Sequence, residues 1–108
     1  MEKFEVRILQ TAEQDLYDII NWIAQNDSPE KAHRLLDKLI KSYQSLKDLP
    51  LRGHKLPELK QISTLDYLEI HQGPYRIIYQ VQIQTVYIHA VLDGRRELAD
   101  LLESRLLR

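Results

Sequence analysis

With 108 residues, 44% of them hydrophobic and 29% charged, the chain fits one small folded domain spanning 1–108 and excludes a disordered or low-complexity protein. The absence of cysteine excludes disulfides and thiolate metal centres, and no apolar run is long enough to span a bilayer. A net charge of −1 argues against binding nucleic acid through a broad positive field, because such domains are usually clearly basic.

Met1-Glu2-Lys3-Phe4-Glu5 lacks the basic segment and apolar run of a secretory signal, so a cytoplasmic location is expected. Phe4, Val6 and Ile8 then alternate with Lys3, Glu5 and Arg7, which predicts a strand over 3–9 with one buried face. Thr11-Ala12-Glu13-Gln14 matches a capping box and predicts a helix starting at Thr11. Ala12, Leu16, Ile19, Ile20 and Ile23 form its apolar stripe, which ends near Asn26-Asp27. Ser28-Pro29 starts a second helix, with serine as the cap and proline at the first helical position. Its buried stripe is Ala32, Leu35, Leu36, Leu39, Tyr43 and Leu46, and the short link makes the two helices an antiparallel hairpin. Pro50 stops this helix at or just before Leu49.

Residues 50–63 carry Pro50, Gly53 and Pro57 and read as a loop. Strands follow over Leu65–Ile70, Tyr75–Val81 and Val86–Leu92, separated by short turns that favour an antiparallel meander. Asp93-Gly94 signals a further turn, and Leu98, Leu101, Leu102 and Leu106 predict a short C-terminal helix from about Arg96. The order is β-α-α-β-β-β-α. It implies an α+β fold: a twisted antiparallel sheet with the hairpin on one face, and the first strand beside one from the C-terminal half.

Ala12-Glu13-Gln14-Asp15-Leu16, Ser28-Pro29-Glu30-Lys31-Ala32, Leu49-Pro50-Leu51-Arg52-Gly53, Pro74-Tyr75-Arg76-Ile77-Ile78-Tyr79 and Gly94-Arg95-Arg96 occur in an order and spacing that resembles ParE-type toxins of the RelE/ParE superfamily. The resemblance covers nearly the whole chain. It implies the RelE/ParE-like fold and a growth-inhibiting type II toxin, neutralised by a ParD-like antitoxin that wraps it. Within the superfamily, RelE-type members cleave mRNA on the ribosome and ParE-type members inhibit DNA gyrase.

A RelE-like nuclease must activate a 2′-hydroxyl, stabilise phosphate charge and protonate the leaving oxygen. The resemblance implies lysines on the strand before the Tyr-Arg segment, two arginines and a C-terminal tyrosine for these tasks. Arg76 and Arg96 match the arginines, whereas Tyr67 and Glu69 fill the lysine positions and Leu102 falls near that of the tyrosine. With half the set missing, no catalytic residue is expected and gyrase inhibition is favoured. A nuclease, as the alternative, would draw on Arg76, Arg96, Glu69 and His71. A degenerate toxin that binds only its antitoxin is a third alternative.

Arg76, Arg95, Arg96 and Arg105 are the expected target contacts; the alternative for Arg76 is a bond to loop carbonyls or to a carboxylate such as Glu69, and for Arg95 and Arg96 the solvated start of a helix. Residues 94–108 also hold Arg108, against Glu97, Asp100 and Glu103; Arg7, Lys55 and Lys60 would join Arg76 in a basic face only if the fold gathers them. Trp22, off its helix's main stripe, is either an interface anchor or packed against the second helix. With Arg34, Lys38 and Lys41 it makes up the expected antitoxin-binding set, while Tyr17 and Tyr43 are expected to pack within the hairpin. His33, His54, His71 and His89 show no zinc-ligand spacing, so no metal or other cofactor is expected. Neither membrane association nor sequence-specific nucleic-acid binding is expected.

Overall fold

The computed structural model describes residues 3–59 and 66–107. Lys60, Leu65 and Arg108, named above, lie outside the described residues, as do Met1 and Glu2. The elements run β1 (Glu5–Ile8), α1 (Gln10–Asn26), α2 (Pro29–Gln44), β2 (His54–Lys55), β3 (Tyr67–Gln72), β4 (Tyr75–Gln82), β5 (Thr85–Asp93) and α3 (Ala99–Leu106). Single 3-10 turns cover Ser45–Lys47 and Pro57–Leu59. The strands form a sheet in the order β1-β5-β4-β3-β2. β3, β4 and β5 are the expected meander, and β1 docks on the free edge of β5.

Three features of the sheet depart from the sequence pattern. First, β1 runs parallel to β5, pairing Glu5 with Thr85 and Ile8 with Ile88, so the sheet is mixed. Second, the stretch expected to be loop contains β2, which pairs antiparallel with β3 and adds a fifth strand, as well as the 57–59 turn. A two-residue strand is too short to show a period of two. Third, both faces of the sheet are covered. Ala12, Leu16, Leu39 and Tyr43 of the hairpin pack on Ile70, Ile77, Tyr79, Val86, Ile88 and Val91. On the opposite face Leu98, Leu102 and Leu106 of the C-terminal segment join Leu56, Leu59, Tyr67, Ile78, Ala90 and Leu92. The spacing of 98, 102 and 106 gives α3 one apolar stripe, from which Leu101 is offset and 41% exposed.

A β-bulge reconciles these two cores. In the β4–β5 register Ile78 pairs with Ala90 and Tyr79 with Ile88, leaving His89 over. The extra residue shifts the alternation, so that Ile88 and Val91 share the hairpin face although three positions apart.

The helix starts differ in origin. Ser28 Oγ accepts the Lys31 N–H at 3.1 Å, the serine cap expected from the sequence. The Thr11–Gln14 capping box does not form. Helix α1 begins one residue earlier, at Gln10, without a side-chain cap; Thr11 points its hydroxyl at the His89 carbonyl, and Gln14 donates to Asp18. Here the sheet sets the entry, because the Leu9 N–H donates to the Ile88 carbonyl and fixes the chain just before the helix. Within the hairpin Tyr43 is buried as expected, whereas Tyr17 is 64% exposed and does not pack there.

This contrast is testable by urea denaturation. Ser28→Ala should cost about 1 kcal/mol through the lost cap, and Thr11→Ala should stay within about 0.5 kcal/mol. Equal costs would show that Thr11 stabilises the start of α1 after all.

Candidate functional site

Two regions bring together the residues singled out by the sequence. The first is an ionic cluster on the α3 side of the sheet, at its β2 end. Glu69 and His71 are two apart on β3 and so project from one face. The strand register places His54 opposite Glu69 and Arg76 opposite His71, which adds both neighbours to that face. Arg76 is the centre. Its Nε donates to Glu69 Oε1 at 2.6 Å and its Nη2 to Glu69 Oε2 at 3.1 Å. Its Nη1 and Nη2 also donate to the two oxygens of Glu58, at 2.6 and 2.8 Å. The guanidinium is thus held by two bidentate carboxylates, a strong arrangement for a planar fork of donors. The Arg76 and Glu69 side chains are 10% and 2% exposed.

The electrostatics follow from these contacts. Hydrogen bonds from Arg76 hold the Glu58 carboxyl below its ordinary pKa, and the Glu58 carboxylate in turn raises that of Arg76. Two carboxylates against one guanidinium leave a net charge of −1 when the imidazoles are neutral. His71 Nε2 lies 2.9 Å from Glu69 Oε1, and His54 Nδ1 lies 3.8 Å from Glu69 Oε2. The His54 and His71 rings meet edge to face at 5.3 Å. No zinc spacing links these histidines in sequence, yet β2–β3 pairing brings them together. Glu58 and His54 were missed because they fall in apparent loop; the Leu56-Pro57-Glu58-Leu59 pattern, with both leucines buried, was the signal that this segment packs.

The second region is a cleft between α1 and the segment after β5. Ile19, Trp22 and Ile23 form one wall, Tyr75, Val91 and Leu92 the floor, and Arg95, Arg96, Leu98 and Leu101 the other wall. Trp22 is 62% exposed, so it does not pack against α2. Arg95 folds back onto Asp93, donating to its carboxylate through Nε at 3.0 Å and Nη2 at 2.9 Å. These bonds, with the Arg95 backbone N–H, lower the Asp93 pKa to about 2. The Arg96 guanidinium forms no hydrogen bond or ion pair with a described residue. Arg105 does not itself line the cleft but grips a residue that does, donating to both Asp15 oxygens at 2.9 Å, and also to the His89 carbonyl at 3.0 Å. Arg34, Lys38 and Lys41 are exposed on α2 and do not line the cleft. Arg7 pairs with Glu5 on β1, so Arg7, Lys55 and Arg76 do not form the basic face considered above.

The clamp makes Arg76 a stability determinant. Arg76→Met would leave two carboxylates facing each other, one of them buried, and should cost about 3–5 kcal/mol at pH 7. Because Arg76 depresses the Glu58 pKa, its contribution is present above the ordinary glutamate value and lost as pH falls through the lowered one. Denaturation curves of the two proteins should therefore differ most near pH 7 and draw together as pH falls below the ordinary glutamate value of about 4.3. A constant gap over this range would show that the ion pair is not what Arg76 contributes.

Comparison with known proteins bears on the fold and the family. No curated protein matches the sequence. Among the solved structures that share the fold are those of two toxin–antitoxin systems. One is the chromosomal ParDE toxin–antitoxin system of P. aeruginosa, at TM-score 0.66 and 17% identity, over 82% of this chain and 94% of that one. The other is the RelBE2 toxin–antitoxin complex of Mycobacterium tuberculosis, at TM-score 0.62 and 25% identity, over 86% and 93%. The family described as "ParE toxin of type II toxin-antitoxin system, parDE" matches residues 6–98. With most of its length matched, the chain belongs to the ParE toxin family of type II toxin–antitoxin systems.

Proposed function

We propose that this toxin arrests growth in the cytoplasm by binding DNA gyrase, without cleaving RNA, and that a ParD-like antitoxin holds it inactive. One observation carries the choice of target: the guanidinium a nuclease would aim at phosphate is saturated by Glu58 and Glu69, two carboxylates against one cation. Such a site repels an anionic substrate, and the clamp must break before Arg76 can contact one. The other nuclease positions are also committed. Tyr67 donates its hydroxyl to the Leu106 carbonyl at 3.1 Å, and Leu102 is fully buried. Arg96, with Arg95 beside it, is the cation best presented to a target.

The cleft is suited to the antitoxin. An exposed indole beside an apolar floor fits a partner helix or strand, and with Arg95 held by Asp93, Arg96 is the cation left to meet an acidic group of the partner. Because target and antitoxin would share this cleft, occupation by one excludes the other. The alternative, a RelE-type ribosome-dependent mRNA endonuclease, is favoured by one feature: His71 and His54 stand half-exposed beside Glu69 and Arg76.

Purified toxin should inhibit gyrase supercoiling and leave ribosome-bound mRNA intact in a translation extract. Cleavage of mRNA at codon positions, with supercoiling unaffected, would establish the alternative instead. Arg95→Ala combined with Arg96→Ala should weaken gyrase inhibition at least about tenfold with an unchanged melting temperature. Full potency in that soluble variant would remove the arginines from the target contact. Trp22→Ala should weaken antitoxin binding by a similar factor, about tenfold or more, as read by calorimetry with the antitoxin's C-terminal half; unchanged affinity would place the antitoxin elsewhere.

A further inference from the structure

The cluster around Glu69 has an open side that neither the fold nor the proposed target contact uses. We propose that His54, Glu69 and His71 bind a divalent late first-row transition-metal ion, zinc above all, and that the ion pins β2 to β3. One ligand atom from each residue lies within 4.8 Å of the other two. Ligand atoms around a tetrahedral zinc, bonded at about 2.0–2.2 Å, stand about 3.4 Å apart. The His71–Glu69 distance of 2.9 Å and the His54–Glu69 distance of 3.8 Å bracket that separation. A small rotation of the two half-exposed rings closes the site without moving the backbone.

The donor set selects the metal. Two imidazoles and one carboxylate suit zinc and its neighbours and fit calcium or magnesium poorly, since those ions take oxygen ligands. Three protein ligands leave a fourth position for water or a group from a partner. Glu69 is prepared for the role. A carboxylate offers about four lone-pair sites, and Arg76 occupies one on each oxygen. One site on each oxygen remains for the ion, while Arg76 holds the group in place from behind, as outer partners of metal ligands do. The net charge of −1 that disfavours a phosphate favours a divalent cation. Any proton on the ligating imidazole nitrogens leaves to solvent when the ion binds.

The consequence is local. β2 has two residues and lies at the edge of the sheet. A metal bond between its His54 and two residues of β3 would supply the edge with a crosslink that its two-residue ladder lacks.

The test uses the full chain without a histidine tag, titrated with zinc by calorimetry and with cobalt by visible absorption. Expected are one ion per chain, a dissociation constant below about 10 μM, cobalt bands of a four- or five-coordinate site, and a zinc-dependent rise in melting temperature. His54→Ala and His71→Ala should each weaken zinc binding at least about tenfold, whereas His33→Ala, on α2 beside Asp37, should not. Both ligand histidines are more than half exposed, so the variants should melt like the parent in EDTA. If one of them unfolds, the other decides the question. Saturable binding absent up to about 100 μM zinc, or binding equally tight in the folded ligand variants, would overturn the proposal.

Discussion

A strand's two edges each need hydrogen-bonding partners, and on one edge β5 runs out of them at Ile88. Four residues of β1 cover that edge only as far as the Ile8–Ile88 pair. Beyond it lie the bulge at His89 and four further residues, Ala90 to Asp93, whose backbone groups facing this edge need partners, since unsatisfied backbone groups at a buried strand are costly. Side chains take over. Asp15 of α1 accepts the Val91 N–H at 3.0 Å, and Arg105 of α3 donates to the His89 carbonyl while gripping Asp15. This bridge ties both helical layers to one stretch of strand. It joins the two cores across the edge of the sheet and sets the end of α1 facing the segment after β5, where the cleft opens.

The opposite end of the sheet solves a different problem, the burial of charge. Glu69 takes up only part of the Arg76 guanidinium, and Glu58 accepts from the remaining donors. Two glycines make the arrangement possible. A Cβ at Gly94 would stand 2.8 Å from the Pro74 carbonyl and 3.0 Å from Arg76 Cγ and Cδ. A Cβ at Gly53 would meet the Tyr79 hydroxyl at 2.6 Å and the Glu69 carbonyl at 2.7 Å. Close approach of the chain on both sides is what lets β2 reach β3 and present His54.

Elements with a full period were legible in the sequence. The stripe and serine cap of α2, the meander and the C-terminal helix follow from spacing and turn residues alone. What was hidden depends on partners distant in the chain. Thr11 and Gln14 satisfy the capping pattern, but the Leu9–Ile88 hydrogen bond makes it unnecessary. The bulge cannot be seen in Val86–Leu92 because nearly every residue there is apolar, so a shift of alternation leaves no mark. Arg76 was singled out, and Glu69 was considered as its partner, but Glu58, 18 positions away, lay in apparent loop. Trp22 and Arg96 were assigned to different partners, and only the fold shows that they line one cleft.

The parallel pairing of β1 with β5 also has a consequence for how the toxin comes into being. Among the described strands β1 pairs with β5 alone, so Glu5 waits for Thr85 to be made. Contacts this distant form late, because the intervening chain must first give up its loop entropy. Arg105, which completes the bridge over the β5 bulge, is made later still. A partly synthesised chain therefore cannot assemble the cleft in finished form. The cleft takes shape only after Arg105 has been made, and any binding there has to wait for it.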